Sequence, residues 1–248
     1  VIVCKSDREI DLMRDAGRIV AQAHEEIKKM VRPDVTTLEL DKIAEDFIIA
    51  SGARPAFKGY HGFPASICAS VNEQVVHGIP GLRKLENGDI ISIDIGAEIN
   101  GYFGDAALTV PVGEVSDEAM ELIRVTEEAL FTGIGNAVDG NRLSDISHSI
   151  QTFVEGKGYS VVRDYVGHGI GSQMHEEPQV PNFGRPGRGP RLRSGMTLAI
   201  EPMVNQGTYE VMTLGDNWTV VTKDKKLSAH FEHSVVITDK LPEILTKV

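Results

Sequence analysis

His77-Gly78-Ile79 is followed by Gly88, by the acid of Ile93-Asp94 and by a further carboxylate at Asp105; later, His168-Gly169-Ile170 is followed by Gly195, by the acid of Ile200-Glu201 and by Glu232. From glycine to first acid the interval is six residues in both copies, and each acid closes an apolar run, Ile90 to Ile93 or Thr197 to Ile200. A chain that carries one pattern twice is expected to fold as two related halves, with the repeated groups meeting on their common axis. Four carboxylates converging there repel one another unless cations lie between them. The repeat therefore reads as a site for two divalent metal ions.

Local signals agree with two halves. Ser6 and Glu9 form a capping box, and Ile10, Met13, Gly17, Val20, His24, Ile27 and Val31 recur at helical spacing until Pro33. Thr36 with Glu39 opens a second helix, which Gly52 is placed to close. The second half repeats this order, with helices predicted from about Ser116 to Gly133 and from about Leu143 to Glu155 ahead of its histidine and acids. Each half reads helix, helix, strands, which implies an α+β architecture: helices on one face of a curved antiparallel sheet and the site on the other. No flexible linker separates the halves, about 1–110 and 111–248, so a single catalytic domain is expected.

The first pair of acids can be placed more closely. Asn100-Gly101 suits a type I′ turn, in which both positions need positive φ, between strands Ile90 to Gly96 and Tyr102 to Val110. If these two residues are the loop, Ile99 pairs with Tyr102, Asp94 lies opposite Ala107 and Asp105 opposite Gly96. The two acids are then diagonal neighbours on one face, while Ile91, Ile93 and Ile95 point the other way, towards the helices. Glu201 precedes Pro202 and belongs at a strand mouth. A second hairpin is predicted from Trp218 to Thr222 and from Leu227 to Thr238, turning at Lys223 to Lys226 and carrying Glu232.

His168, between two glycines, is the fifth ligand. One imidazole with four carboxylates is a hard, oxygen-rich set that suits Mn²⁺, Fe²⁺ or Co²⁺ better than structural zinc. Two ions about 3.5–4 Å apart share a water, lower its pKa and stabilise attacking and leaving atoms, so amide or ester hydrolysis is the natural chemistry. His77 holds the corresponding place in the first half and is left free for proton or substrate work. His175 is placed to donate to a developing oxyanion. His24 falls on the apolar face of the first helix and reads as core, whereas His230 and His233 flank Glu232, where one of them can support it.

A hydrophobic fraction of 41% with 25% charged residues describes an ordinary soluble globule. No run of about 18 apolar residues exists, so no membrane contact and a cytoplasmic setting are expected. Cys4 and Cys68 read as free thiols. A net charge of -11 argues against DNA as a partner. The exception is an irregular stretch from Pro178 to Pro190, continuing through Arg191 and Arg193, which is expected to rim the site. Its arginines are either a solvated surface or a docking patch for an anionic partner such as ribosomal RNA, engaged transiently through the Arg185–Arg193 loop.

The order Asp94, Asp105, His168, Glu201, Glu232, with His77 and His175, resembles the methionine aminopeptidases of the bacterial, type I kind. The likeness covers essentially the whole chain, including Tyr60-His61-Gly62-Phe63-Pro64-Ala65-Ser66 and Val75-Val76-His77-Gly78-Ile79-Pro80. It implies the pseudo-two-fold "pita-bread" fold in its short form, without an N-terminal zinc-binding extension; separately, a monomer is expected. It implies removal of the N-terminal methionine from nascent proteins and peptides with a small second residue, by a hydroxide bridging the two ions. Asp94 matches the ligand of one metal, Asp105 and Glu232 the bridging carboxylates, and His168 and Glu201 the ligands of the other metal. Glu201 also matches the proton shuttle, His175 the contact to the scissile carbonyl and His77 the contact to the scissile amide. The methionine pocket carries over to Tyr60, Phe63, Cys68, His77 and Trp218, with Met174 standing where the family often has phenylalanine. The alternatives are a proline-directed peptidase of the same fold and a metal-free binding module.

Overall fold

The two capping boxes open α1 (Asp7–Lys28) and α2 (Thr37–Ala50) in the computed structural model, which describes residues 1–248. Gly52, at φ 78°, follows the end of α2, and the Ala53 amide donates back to Ile48. α1 stops short of Val31 because the Met30 and Val31 amides both fold back onto the Ile27 carbonyl. Ser116 caps α3 (Asp117–Gly135) by accepting from the Ala119 amide, and α4 (Leu143–Gly156) follows.

Beneath the helices runs one nine-stranded antiparallel sheet. Its central order is Ile90–Ile99, Tyr102–Pro111, Glu232–Val236, Thr197–Ile200, Gly167–Gly169 and Glu176–Val180, and Ile67–Val71 also pairs with Ile90–Ile99. The seam between the halves falls where Tyr102–Pro111 meets Glu232–Val236, at the pairs Glu232 with Ala107 and His233 with Ala106. Two hydroxyls bridge this seam. Ser234 Oγ accepts from the Asp105 amide and donates to the Asp105 carbonyl, while Thr109 Oγ1 does the same for the backbone of His230. Each half has its own core. Ile91, Ile93 and Ile95 are fully buried with Val20 and Leu40 of α1 and α2, and Leu198 and Val235 are buried with Leu122 and Ile146 of α3 and α4.

The Asn100-Gly101 hairpin has the expected register: Ile99 faces Tyr102, Asp94 faces Ala107 and Gly96 faces Asp105, with φ 54° and 81° at the turn. The second hairpin differs. Val220–Thr222 pairs with Val211–Thr213 and Gln74–Val76, and Lys223 returns its amide to Glu210 rather than turning into the next strand. The segment expected to run from Leu227 to Thr238 breaks at Phe231. Ser228–His230 pairs with Met203–Asn205, and Glu232–Val236 pairs with Thr197–Ile200. The neighbouring chain bends at the same level, at Glu201-Pro202, where proline offers no amide to the ladder.

Candidate metal centre and active site

Glycines begin both acid strands. Gly88 (φ 100°) and Gly195 (φ 88°) each take the left-handed turn that delivers the chain into Ile90–Ile99 or Thr197–Ile200. The acids then fall in one row across adjacent strands. Asp94 lies opposite Ala107, Ala107 lies opposite Glu232, and the pairing of His233 with Ile200 brings Glu201 beside Glu232 at the strand's end. Asp105 sits two residues along from Ala107 on the same face. The small side chain of Ala107 leaves this row open between its acids.

His168 completes the cluster. Its ring pairs through Nδ1 with the Gly169 carbonyl at 2.8 Å, so Nδ1 carries the proton and Nε2 presents a lone pair to the acids. Nε2 lies 3.7 Å from Asp105 Oδ2 and 3.6 Å from Glu201 Oε1. Asp105, His168 and Glu232 offer one set of ligand atoms within 4.8 Å of each other, and Glu201, His230 and Glu232 offer another, so Glu232 is common to both. Oδ1 of Asp94, Oδ1 of Asp105 and Oε1 of Glu232 are sealed from solvent with no hydrogen-bond donor. Burial, and then repulsion from neighbouring carboxylates, pushes Asp94 and Glu232 well above the usual carboxylate range. Burial also raises Asp105, although the nearby His168 works against it. Burial opposes the charge of His168, but Asp105 and Glu201 outweigh it and raise the pKa. Such a set is costly without cations and is the donor chemistry that hard divalent ions take.

The cluster forms the floor of a cavity of about 270 Å³. Tyr60, Phe63, Cys68, His77, His175 and Trp218 line it together with Asp94, Asp105, His168, Glu201 and Glu232, so one cavity brings together the five candidate ligands and the candidate catalytic and pocket residues. Phe63 meets Trp218 edge-on at 5.1 Å, and buried Met174 packs with them. Burial and the neighbouring acids hold the Cys68 thiol well above its ordinary value. His175 stands at the mouth, with Nδ1 2.7 Å from the Tyr60 hydroxyl, and lost hydration followed by repulsion from His168 lowers its pKa to about 4. Burial likewise lowers His77.

Two expectations are revised. His77 is not the structural counterpart of His168: it lies at φ 58° after the strand Gln74–Val76, outside the main sheet, whereas His168 is within a strand of that sheet. The basic segment does not rim the site. Glu176–Val180 is a strand, and the residues after it dock on the start of α4, where the Arg188 carbonyl accepts from the Ser144 hydroxyl and the Gly187 amide donates to Asp145. Its arginines are exposed and none lines the cavity. Of the two histidines flanking Glu232, His230 faces the acids, while His233 pairs with Thr246 on the other side. Tyr165, whose ring meets His77 at 5.5 Å, also lines the cavity and was missed, because nothing in its local sequence marks it.

Residues 11–239 match the model of metallopeptidase family M24. The chain is similar to methionine aminopeptidase 1 of Bacillus subtilis, 60% identical over 248 residues covering all of both chains, and to a methionine aminopeptidase of Clostridium perfringens at 59% over the same span. Among solved structures it is similar to a methionine aminopeptidase from Thermotoga maritima, at 47% identity, complete coverage of both chains and a TM-score of 0.99. A prolidase from Pyrococcus horikoshii shares the fold, with a TM-score of 0.81 at 23% identity over 64% of its own length.

Proposed function

The chain belongs to metallopeptidase family M24, among its methionine aminopeptidases, and from that premise we propose how its own residues release an N-terminal methionine. The enzyme is a metal-dependent hydrolase that removes that residue from peptides. The observation that carries the mechanistic reading is the single cavity in which an aromatic, sulfur-lined pocket opens onto unpartnered buried carboxylates.

In this reading Asp94, Asp105, His168, Glu201 and Glu232 hold two divalent ions, of Mn²⁺, Fe²⁺ or Co²⁺. Bound there, the ions would supply Lewis acidity and a nucleophile available at neutral pH. Tyr60, Phe63, Cys68 and Trp218 take the methionine side chain, a polarizable thioether against aromatic walls. Tyr60 donates to His175 Nδ1, which leaves the proton on Nε2 to be offered to the scissile carbonyl oxygen as negative charge develops. With its pKa near 4, His175 makes that donation as a neutral imidazole across the neutral pH range. His77, whose pKa burial lowers, contacts the scissile amide. Glu201 passes a proton to the leaving amine. The second residue must fit beneath the rim, so small side chains are favoured there.

Purified protein incubated with Mn²⁺ or Co²⁺ is expected to release the first residue of Met-Ala-Ser but not of Leu-Ala-Ser or Ala-Pro-Ser, and to stop on chelation. Release from Ala-Pro-Ser alone would place the chain with the proline-directed peptidases, and no release with any metal would make it a binding module. For setting, we propose the cytoplasm and a monomer acting on nascent chains; no helix is long and apolar enough to cross a membrane. We further propose transient ribosome contact through the exposed arginines of the Arg185–Arg193 loop. Replacing Arg185 and Arg188 by glutamate should reduce co-sedimentation with ribosomes, and unchanged co-sedimentation would remove that role.

A further inference from the structure

His230 is 1% exposed, its Nε2 has no hydrogen-bond partner, and Glu201 Oε2 lies 3.6 Å away. A buried ring nitrogen left without a partner is unfavourable, whichever role it takes, unless it finds one. Its backbone cannot drift to find one elsewhere. The His230 amide donates to Thr109 Oγ1 and its carbonyl accepts from the same hydroxyl, both at 2.9 Å, while Thr109 is bonded in turn to Ser92 at 2.8 Å. On the other side His230 pairs with Met203, two residues beyond Glu201. The imidazole is thus fixed from two strands and directed at one carboxylate.

That carboxylate is divided between two rings, with Oε1 3.6 Å from His168 Nε2 and Oε2 3.6 Å from His230 Nε2. His168 uses its other nitrogen on the Gly169 carbonyl and so faces Glu201 with a lone pair. A second lone pair on the far side would leave Glu201 without a donor from either ring. We propose that His230 is a positioning residue for Glu201: it carries its proton on Nε2 and donates it to Oε2 as the carboxylate settles by a few tenths of an ångström, turning Oε1 towards the metal centre. This rests on the metal-centre reading above and extends it to a residue outside the five ligands. It differs from direct ligation in what it requires at position 230, which is a donor of the right reach rather than an imidazole lone pair.

His230→Gln keeps an N–H of similar reach, and His230→Leu fills the space without one. Full-length wild type and both variants would be titrated with Mn²⁺ and Co²⁺ by calorimetry, and kcat and KM measured on Met-Ala-Ser. Loss of a group that orients a ligand typically weakens metal affinity roughly 10- to 100-fold. That loss is expected for His230→Leu, with kcat falling more than KM rises, while His230→Gln stays close to wild type. Equal affinity in all three proteins would overturn the proposal, and so would an equal loss in both variants, since the imidazole nitrogen would then be a ligand itself. Wild type that binds no divalent ion would instead overturn the underlying metal-centre reading. Should His230→Leu lose its cooperative melt, His230→Asn, polar but too short to reach Oε2, takes its place with the same expected loss.

Discussion

Tyr60 and His175 illustrate how much of the chemistry depends on one proton. Nδ1 of His175 can face the Tyr60 hydroxyl as acceptor or donor, but only the accepting tautomer leaves an N–H on the ring's far side, where an oxyanion would form. Replacing His175 by alanine is therefore expected to lower kcat by roughly 10²- to 10³-fold with a much smaller change in KM, the mark of an interaction made in the transition state. Tyr60→Phe should have a smaller effect of the same kind, because the ring survives and only the tautomer is released. Steady-state kinetics on Met-Ala-Ser checks both, and an unchanged kcat in His175→Ala would remove the residue from the mechanism. His24 shows the opposite use of a histidine. It lies inside the packing of α1, donating from Nε2 to the Ile93 carbonyl at 3.1 Å, and burial holds its pKa down to about 3.

At the level of elements, that buried ring makes the contact between α1 and the sheet sensitive to acid. Unfolded, His24 accepts a proton at its ordinary value near 6.5; folded, it refuses one until about pH 3. Its contribution is complete above pH 6.5 and is lost as pH falls, by about 1.4 kcal/mol for each unit within that window. His233, depressed to about 4, adds a slope of the same sign. Urea unfolding between pH 7 and pH 5 should show a shallower loss of stability in His24→Gln, which retains a donor for Ile93, than in wild type. Parallel slopes would mean that the ring is hydrated. The helix caps, the first hairpin and its register were legible in the sequence because each is settled by neighbours a few residues apart. The partners of Val220–Thr222 were not, since Gln74–Val76 is far away in the chain and the charged turn at Lys223–Lys226 suggests a local hairpin equally well. The four acids and His168 proposed as ligands were singled out by the repeat, and the fold brings them to one cavity. His230 was only half legible: its place two residues before Glu232 is visible, but the break at Phe231 that aims it at Glu201 arises from Pro202 on another strand.

For the whole molecule, the acid row is expected to make stability depend on cations, as the proposed metal centre requires. Ligand atoms that repel one another in the folded state alone are relieved by any ion that binds only that state. At a hundredfold excess over its dissociation constant such an ion adds about 2.7 kcal/mol, which at this chain length raises Tm by about 5–10 °C. Thermal melts with Mn²⁺ or Co²⁺ against chelator should separate by that order; coincident melts would show that the acids carry no metal. The row also crosses the seam, with Asp94 and Asp105 contributed by one half and Glu201 and Glu232 by the other. Neither half holds the whole row. A row shared in this way comes together only when the two halves close on each other, so the seam bridged by Ser234 and Thr109 is also what would assemble the proposed centre.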